Sequence, residues 1–286
     1  MKIIECPRDA MQSWAEFIPT ETKISYLNQL LRVGFDTLDF GSFVSPKAIP
    51  QMRDTAQVLE QLDLSETVTK LLVIVANLRG AETAMQHEEI EYVGFPLSVS
   101  ETFQQRNTRK SIGKAIEVVQ EIQNLCLKNN KKLVVYLSMG FGNPYGDPYN
   151  QDIISAFVRI MDEMKVGIIQ LSDTIGISEP KLIREIFGEV MPRFPHMEIG
   201  AHFHSTPHTA YEKVQAAYQA GCRRFDGAIR GFGGCPMAKD DLTGNIATET
   251  ILRFLEDENE HVGLDKAVFS QAMEASHEVF NTASVV

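Results

Sequence analysis

KLLVIVA (Lys70–Ala76) and KLVVYL (Lys132–Leu137) are short apolar runs rich in β-branched residues. A strand with one wet face alternates polar and apolar residues. These runs do not, so both of their faces are expected to be buried, as in a parallel sheet covered by helices. Six further runs lie on either side: Lys2–Cys6, Thr37–Phe40, Ile90–Phe95, Val166–Gln170, Met197–Phe203 and Arg223–Ala228. Segments with helical spacing separate them, at Lys23–Val33, Ile49–Leu62, Ser111–Lys128, Asn150–Met164, Glu179–Met191, His208–Ala220 and Thr248–Leu255. Strand–helix alternation repeated eight times predicts a parallel α/β sheet, and eight units close into a (β/α)8 TIM barrel. A doubly wound open sheet is the alternative, but no GxGxxG turn follows the first run. No linker or low-complexity segment divides the chain. Residues 1–286 are therefore read as one barrel domain, with a closing helix at about 264–286.

The composition excludes several classes of function. The 286 residues are 44% apolar, enough for a large core, and the net charge is −11. An acidic chain without a basic stretch has no phosphate-neutralising surface, so no nucleic-acid partner is expected. The start, MKIIECPRDA, lacks an apolar signal-peptide core. No run reaches the roughly 18 apolar residues of a membrane span. Cys6, Cys126, Cys222 and Cys235 are scattered, with no CxxC pair, which fits a cytoplasmic protein.

In such a barrel, chemistry sits at the C-terminal ends of the strands. The first run leads into Pro7-Arg8-Asp9, with Gln12 close by. This is either a surface loop whose charges pair or part of a site. The seventh ends in His202-Phe203-His204. Positions i and i+2 of a strand share a face, so both imidazoles point one way. They are either a hydrogen-bonded pair or two ligands of one metal. After the eighth run comes Gly231-Phe232-Gly233-Gly234-Cys235-Pro236, then Gly244-Asn245. A glycine-rich loop can approach a ligand closely and would bring Cys235 to the mouth, as a proton donor or nucleophile or as an inert thiol. Asp173, in Ser172-Asp173-Thr174-Ile175-Gly176, can bind metal, orient a ligand histidine or cap a turn. Asp39 is a carboxylate in a core-facing strand and needs a partner, with Arg8 the candidate across the adjacent strand end.

Together these residues resemble the 3-hydroxy-3-methylglutaryl-CoA lyase family, within the metal-dependent barrel enzymes of Claisen-type chemistry. PRDAMQ stands where the family has PRDGLQ, and HFH where it has HCHDT. SFVSPKAIPQM, SDTIGI, GFGGCPMA and GNIATE fall in matching order, nearly end to end. The resemblance implies a carbon–carbon lyase that cleaves a hydroxymethylglutaryl-CoA-like thioester to acetyl-CoA and a keto acid through an enolate, and a tendency to form homodimers. It implies Asp9, His202, His204 and Asn245 as metal ligands, with Mg2+ or Mn2+ expected and Zn2+ or Fe2+ also compatible with such donors. Arg8 would stabilise the enolate oxygen. His202 or Asp173 would take the hydroxyl proton, and Cys235 would protonate the enolate carbon.

The chain also departs from the family pattern. Asp39 replaces a glutamate, one methylene longer, so a water between it and Arg8 is expected. Ser205 replaces an aspartate, Arg230 stands before the glycine loop in place of a small residue, and a lysine after the first strand is missing. The segment Phe280-Asn281-Thr282-Ala283-Ser284 keeps Asn281 but has no basic residue for the CoA phosphates. A related aldolase or condensing enzyme for a non-CoA hydroxy- or oxo-acid is thus an alternative, with Arg230 pairing a substrate carboxylate. A non-catalytic barrel that binds metal and ligand is another.

Overall fold

The computed structural model describes residues 1–234 and 243–280, and in it every apolar run becomes a strand. The chain begins β1 (Lys2–Glu5), α1 (Pro7–Gln12), α2 (Thr20–Leu31), β2 (Thr37–Ser42). A 3-10 turn (Pro50–Met52), α3 (Thr55–Leu59), β3 (Lys70–Ile74), α4 (Leu78–Met85) and β4 (Ile90–Ser98) follow. The middle supplies α5 (Glu101–Thr108), α6 (Ile112–Lys128), β5 (Lys132–Ser138), α7 (Gln151–Glu163), β6 (Ile168–Asp173), α8 (Pro180–Arg193) and β7 (Glu198–Phe203). The last part adds α9 (Ala210–Gln219), β8 (Arg224–Gly227), a 3-10 turn (Ile229–Gly231), α10 (Thr248–Asp257) and α11 (Lys266–Val279). All neighbouring strands are parallel, and β1 pairs with β8 as well as with β2, which closes a TIM barrel.

Side chains start the helices where the sequence supplies them. Asn77, Ser100, Ser111, Asn150 and Asp265 each accept a backbone N–H in the first turn of α4, α5, α6, α7 and α11. The main core lies between strands and helices. A smaller cluster of Leu72, Ile74, Tyr92, Val134, Tyr136 and Ile168 belongs to β3–β6. The strands also bury polar residues, among them Asp39, Gln170, His202, Arg224 and Asp226. No helix among the described residues is long and apolar enough to cross a membrane.

Three local expectations change. The residues after β1 form a short helix, because Pro7 at its first position pre-sets a helical φ. The stretch 49–62 is not one helix. Thr55 Oγ1 accepts from Ser42 N (3.0 Å) and donates to the Met52 carbonyl (2.9 Å), which pins the chain to β2 and interrupts the turn ladder. Helices α4 and α5 have eight residues each, too few turns for a clear period.

Candidate active site

Asp9 reaches the mouth from α1, and the two histidines from the end of β7. The third strand-end element is residues 244–247, which run beside β7. Ser205 N donates to the Gly244 carbonyl (2.9 Å) and Ile246 N to the Phe203 carbonyl (3.2 Å), so Asn245 faces His204 in an antiparallel bridge. Residues 9, 202, 204 and 245 are all buried. Asn245 Nδ2 donates to Asp9 Oδ2 (2.7 Å), and His204 Nε2 lies 3.9 Å from that oxygen. Gly233 explains one glycine of the loop. At φ +103°, a Cβ there would lie 2.6 Å from Asn245 Nδ2 and 2.7 Å from the Asp9 carbonyl.

The donors fit a divalent cation. One ligand atom each from Asp9, His202 and His204 lies within 4.8 Å of the others. Neither ring nitrogen of buried His204 makes a hydrogen bond of ordinary geometry among the described residues, which an imidazole awaiting a ligand would explain. Burial and the neighbouring His202 push its pKa down to about 4, so it is neutral and can donate a lone pair at pH 7. His202 Nδ1 is held by Asp226 Oδ2 (3.0 Å), which leaves Nε2 for a ligand. Burial lowers the pKa of His202, but the Asp226 hydrogen bond and charge outweigh it, for a net rise. Burial likewise opposes the Asp9 anion, but Arg8 above all, with the histidines and Asn245, brings its pKa down to about 2.

Arg8 is fixed by carboxylates on two sides. Its Nε and Nη2 contact Asp39 directly, at 3.0 and 2.5 Å from Oδ2, with no water between them, in correction of the expectation from the shorter side chain. Its Nη1 donates to Asp9 Oδ1 (2.8 Å) and Gln12 Oε1 (3.0 Å). Burial disfavours the Arg8 cation, yet Asp39 and Asp9 hold its pKa above the ordinary value. Burial pushes Asp39 up to about 6, with Arg8 opposing. Of the five guanidinium hydrogens, these contacts leave one on Nη2. Arg8, Asp9, His202 and His204 line a cavity of about 150 Å3, whose other wall is Val44, Ile49, Ile74, Pro96 and Phe103.

Other expected residues are not brought into this cavity. Asp173 does not line it. Its carboxylate accepts from Ile177 N, Ser178 N, Ser178 Oγ and Lys213 Nζ, the last at 2.7 Å, and it is 1% exposed. Lys213 also donates to the His204 carbonyl (3.0 Å), so Asp173 braces the end of β7 rather than facing a substrate. Arg230 turns away toward α11, where its Nε donates to Ser276 Oγ (2.7 Å) and its Nη2 to the Met273 carbonyl (3.0 Å). Cys235 and Asn281 lie outside the described residues. Sequence reading missed Asp226, Tyr136, Asn107 and Thr108. Asp226 carried the same signal as Asp39, a carboxylate inside a core strand. Tyr136 packs its ring edge-on to His202 at 5.3 Å, and its buried hydroxyl has no partner among the described residues.

A closed parallel barrel with a carboxylate and two imidazoles gathered at the strand ends defines the class: a (β/α)8 enzyme with a candidate metal site at its mouth. The sequence profile of the HMGL-like family matches residues 2–277, and the chain belongs to that family. It is 36% identical over 250 residues to the hydroxymethylglutaryl-CoA lyase YngG of Bacillus subtilis, covering 87% of this chain and 83% of that one. It is 31% identical to the 3-hydroxy-3-isohexenylglutaryl-CoA/hydroxy-methylglutaryl-CoA lyase of Pseudomonas aeruginosa, over 91% and 85% of the two chains. An HMG-CoA lyase from Acinetobacter baumannii, solved in complex with coenzyme A and 3-methylmalate, superposes with a TM-score of 0.90 at 28% identity. That match covers 98% of this chain and 91% of the other.

Proposed function

We propose that the protein cleaves 3-hydroxy-3-methylglutaryl-CoA, or a close acyl-CoA, to acetyl-CoA and a keto acid, with Mg2+ or Mn2+ held by Asp9, His202, His204 and Asn245. The observation that carries this reading is the Asp9–His202–His204 group in one cavity with the buried Arg8 cation. Kinship with lyases of hydroxymethylglutaryl-CoA supports the substrate, and the neighbour solved with coenzyme A supports the thioester. A cation bound there supplies positive charge that favours ionisation of the substrate hydroxyl.

The chain's own residues do the rest. Asp39 holds Arg8 rigid, and its uncommitted Nη2 hydrogen is available to an enolate oxygen as charge develops. Of the two candidate bases, only His202 lines the cavity. With Nδ1 held by Asp226, it is the proposed acceptor of the hydroxyl proton only at a stage when Nε2 is released from the cation, since one lone pair cannot serve both. Cys235 is the proposed donor to the enolate carbon, from the loop that passes Asp9 at Gly233. The non-CoA reading loses its carboxylate partner, since Arg230 is engaged with α11. Asn281 remains the proposed contact to CoA. The proposed compartment is the cytoplasm, supported by buried free thiols at Cys6, Cys126 and Cys222.

The test is release of acetoacetate from hydroxymethylglutaryl-CoA with Mg2+ or Mn2+, with and without chelator. Release that chelator abolishes is expected. No release from metal-loaded protein would overturn the proposal.

A further inference from the structure

Gln170 sits in the middle of β6, fully buried, with its amide inside the barrel. Its Nε2 donates to Asp226 Oδ1, while the other oxygen of Asp226 holds His202 Nδ1 (3.0 Å). An amide, a carboxylate and an imidazole therefore form one chain that ends at the proposed cation ligand. The arrangement displaces other groups. Gln170 pairs in register with Gly200 of β7, and a Cβ at 200 would lie 1.8 Å from Gln170 Oε1. Only a glycine there leaves room for the amide. Gln170 Oε1 itself has no hydrogen-bond partner among the described residues. A buried amide with one end unsatisfied, and a neighbouring strand without a side chain, are unfavourable features for packing alone. Both follow if the Nε2 donor must reach Asp226.

We propose that Gln170 is a positioning residue for the cation site, acting on His202 through Asp226. By engaging Oδ1, it fixes the carboxylate so that Oδ2 points at His202 Nδ1. That holds the imidazole in the Nδ1–H tautomer with its Nε2 lone pair toward Asp9 and His204. The inference rests on the metal site proposed above, but not on the lyase reaction.

The test is Mn2+ titration of the metal-stripped full chain, reading free Mn2+ by electron paramagnetic resonance, in wild type, Gln170→Met and Gln170→Asn. Methionine keeps the volume without the donor, and asparagine keeps the amide one methylene short. Both should bind Mn2+ about tenfold more weakly, the scale seen when a partner of a ligand histidine is lost, and their metal-free thermal midpoints should fall, because Asp226 Oδ1 loses its buried donor. Affinity equal to wild type in either folded variant overturns the inference, as does a wild type that binds no Mn2+. If neither variant folds, histidine 15N–1H correlation spectra of metal-free wild type decide: the Nδ1–H form of His202 is expected, and the Nε2–H form overturns it. Wild-type Mn2+ binding without turnover would remove the lyase reading and leave this one standing.

Discussion

Arg8 and Asp39 form a buried two-pronged ion pair, with Nε 3.0 Å and Nη2 2.5 Å from Asp39 Oδ2. Asp39 is 0% exposed and Arg8 6%. Removing one partner of such a pair leaves the other charge buried and uncompensated, which costs about 3–5 kcal/mol. Arg8 keeps its ion pair with Asp9 (2.8 Å), so Asp39→Ala should lose less than that, about 1.5–3 kcal/mol in urea denaturation. It should also slow turnover by about a hundredfold, the effect of misplacing a catalytic group by an ångström. Full turnover in Asp39→Ala would show that Arg8 needs no such anchor.

His204 has two buried ring nitrogens without a hydrogen bond of ordinary geometry among the described residues. His204→Ala removes a proposed ligand, so Mn2+ affinity should fall by more than the roughly 10–100-fold seen for residues that only support a ligand. Metal analysis after dialysis checks this. Unchanged occupancy would rule His204 out as an essential ligand. The metal-free variant should lose some stability, because deleting a buried ring leaves a cavity.

Asp173 and Lys213 make a buried pair, 2.7 Å apart, both at most 2% exposed in their side chains. Asp173→Asn leaves the Lys213 cation unbalanced and should cost about 3–5 kcal/mol. Asp173→Asn, Lys213→Met and the two combined form a double-mutant cycle, which in urea should show strong coupling because the second change removes the cation that the first leaves unbalanced. A stable Asp173→Asn with turnover abolished would instead return Asp173 to the chemistry.

The sequence was most legible where the period is short and the burial complete. All eight apolar runs are strands, and residues at their ends, Asp9, His202 and His204, converge because the barrel brings every C-terminal strand end to one mouth. Sequence position does not show which way a side chain turns. Asp173 and Asp39 look alike in the sequence, yet one faces Lys213 and the other Arg8. The decisive partner, Lys213, sits 40 residues away on α9, where a lysine reads as a solvated helix residue. The engagement of Arg230 is hidden from the sequence for the same reason: its partners Ser276 and Met273 lie on α11 and mark no motif.

Glu5 is fully buried at the end of β1, where it accepts from Thr248 Oγ1 (2.5 Å) and Ile229 N (2.8 Å). Burial raises its pKa from 4.5 to about 8, against those hydrogen bonds and with help from Glu249. Between those values the native state keeps a proton that the unfolded chain has released. Stability from this group is therefore full below the unfolded pKa and is lost as pH rises through the folded one. One such proton gives a slope of about 1.4 kcal/mol per pH unit inside the window. Glu5→Gln cannot ionise and can still accept at one oxygen. Its urea-derived stability should change less than that of wild type between pH 5 and pH 8, with the two curves diverging as pH increases (about one proton's slope). Parallel curves across that range would mean that Glu5 is already ionised in the native protein, held by Thr248 and the Ile229 N–H.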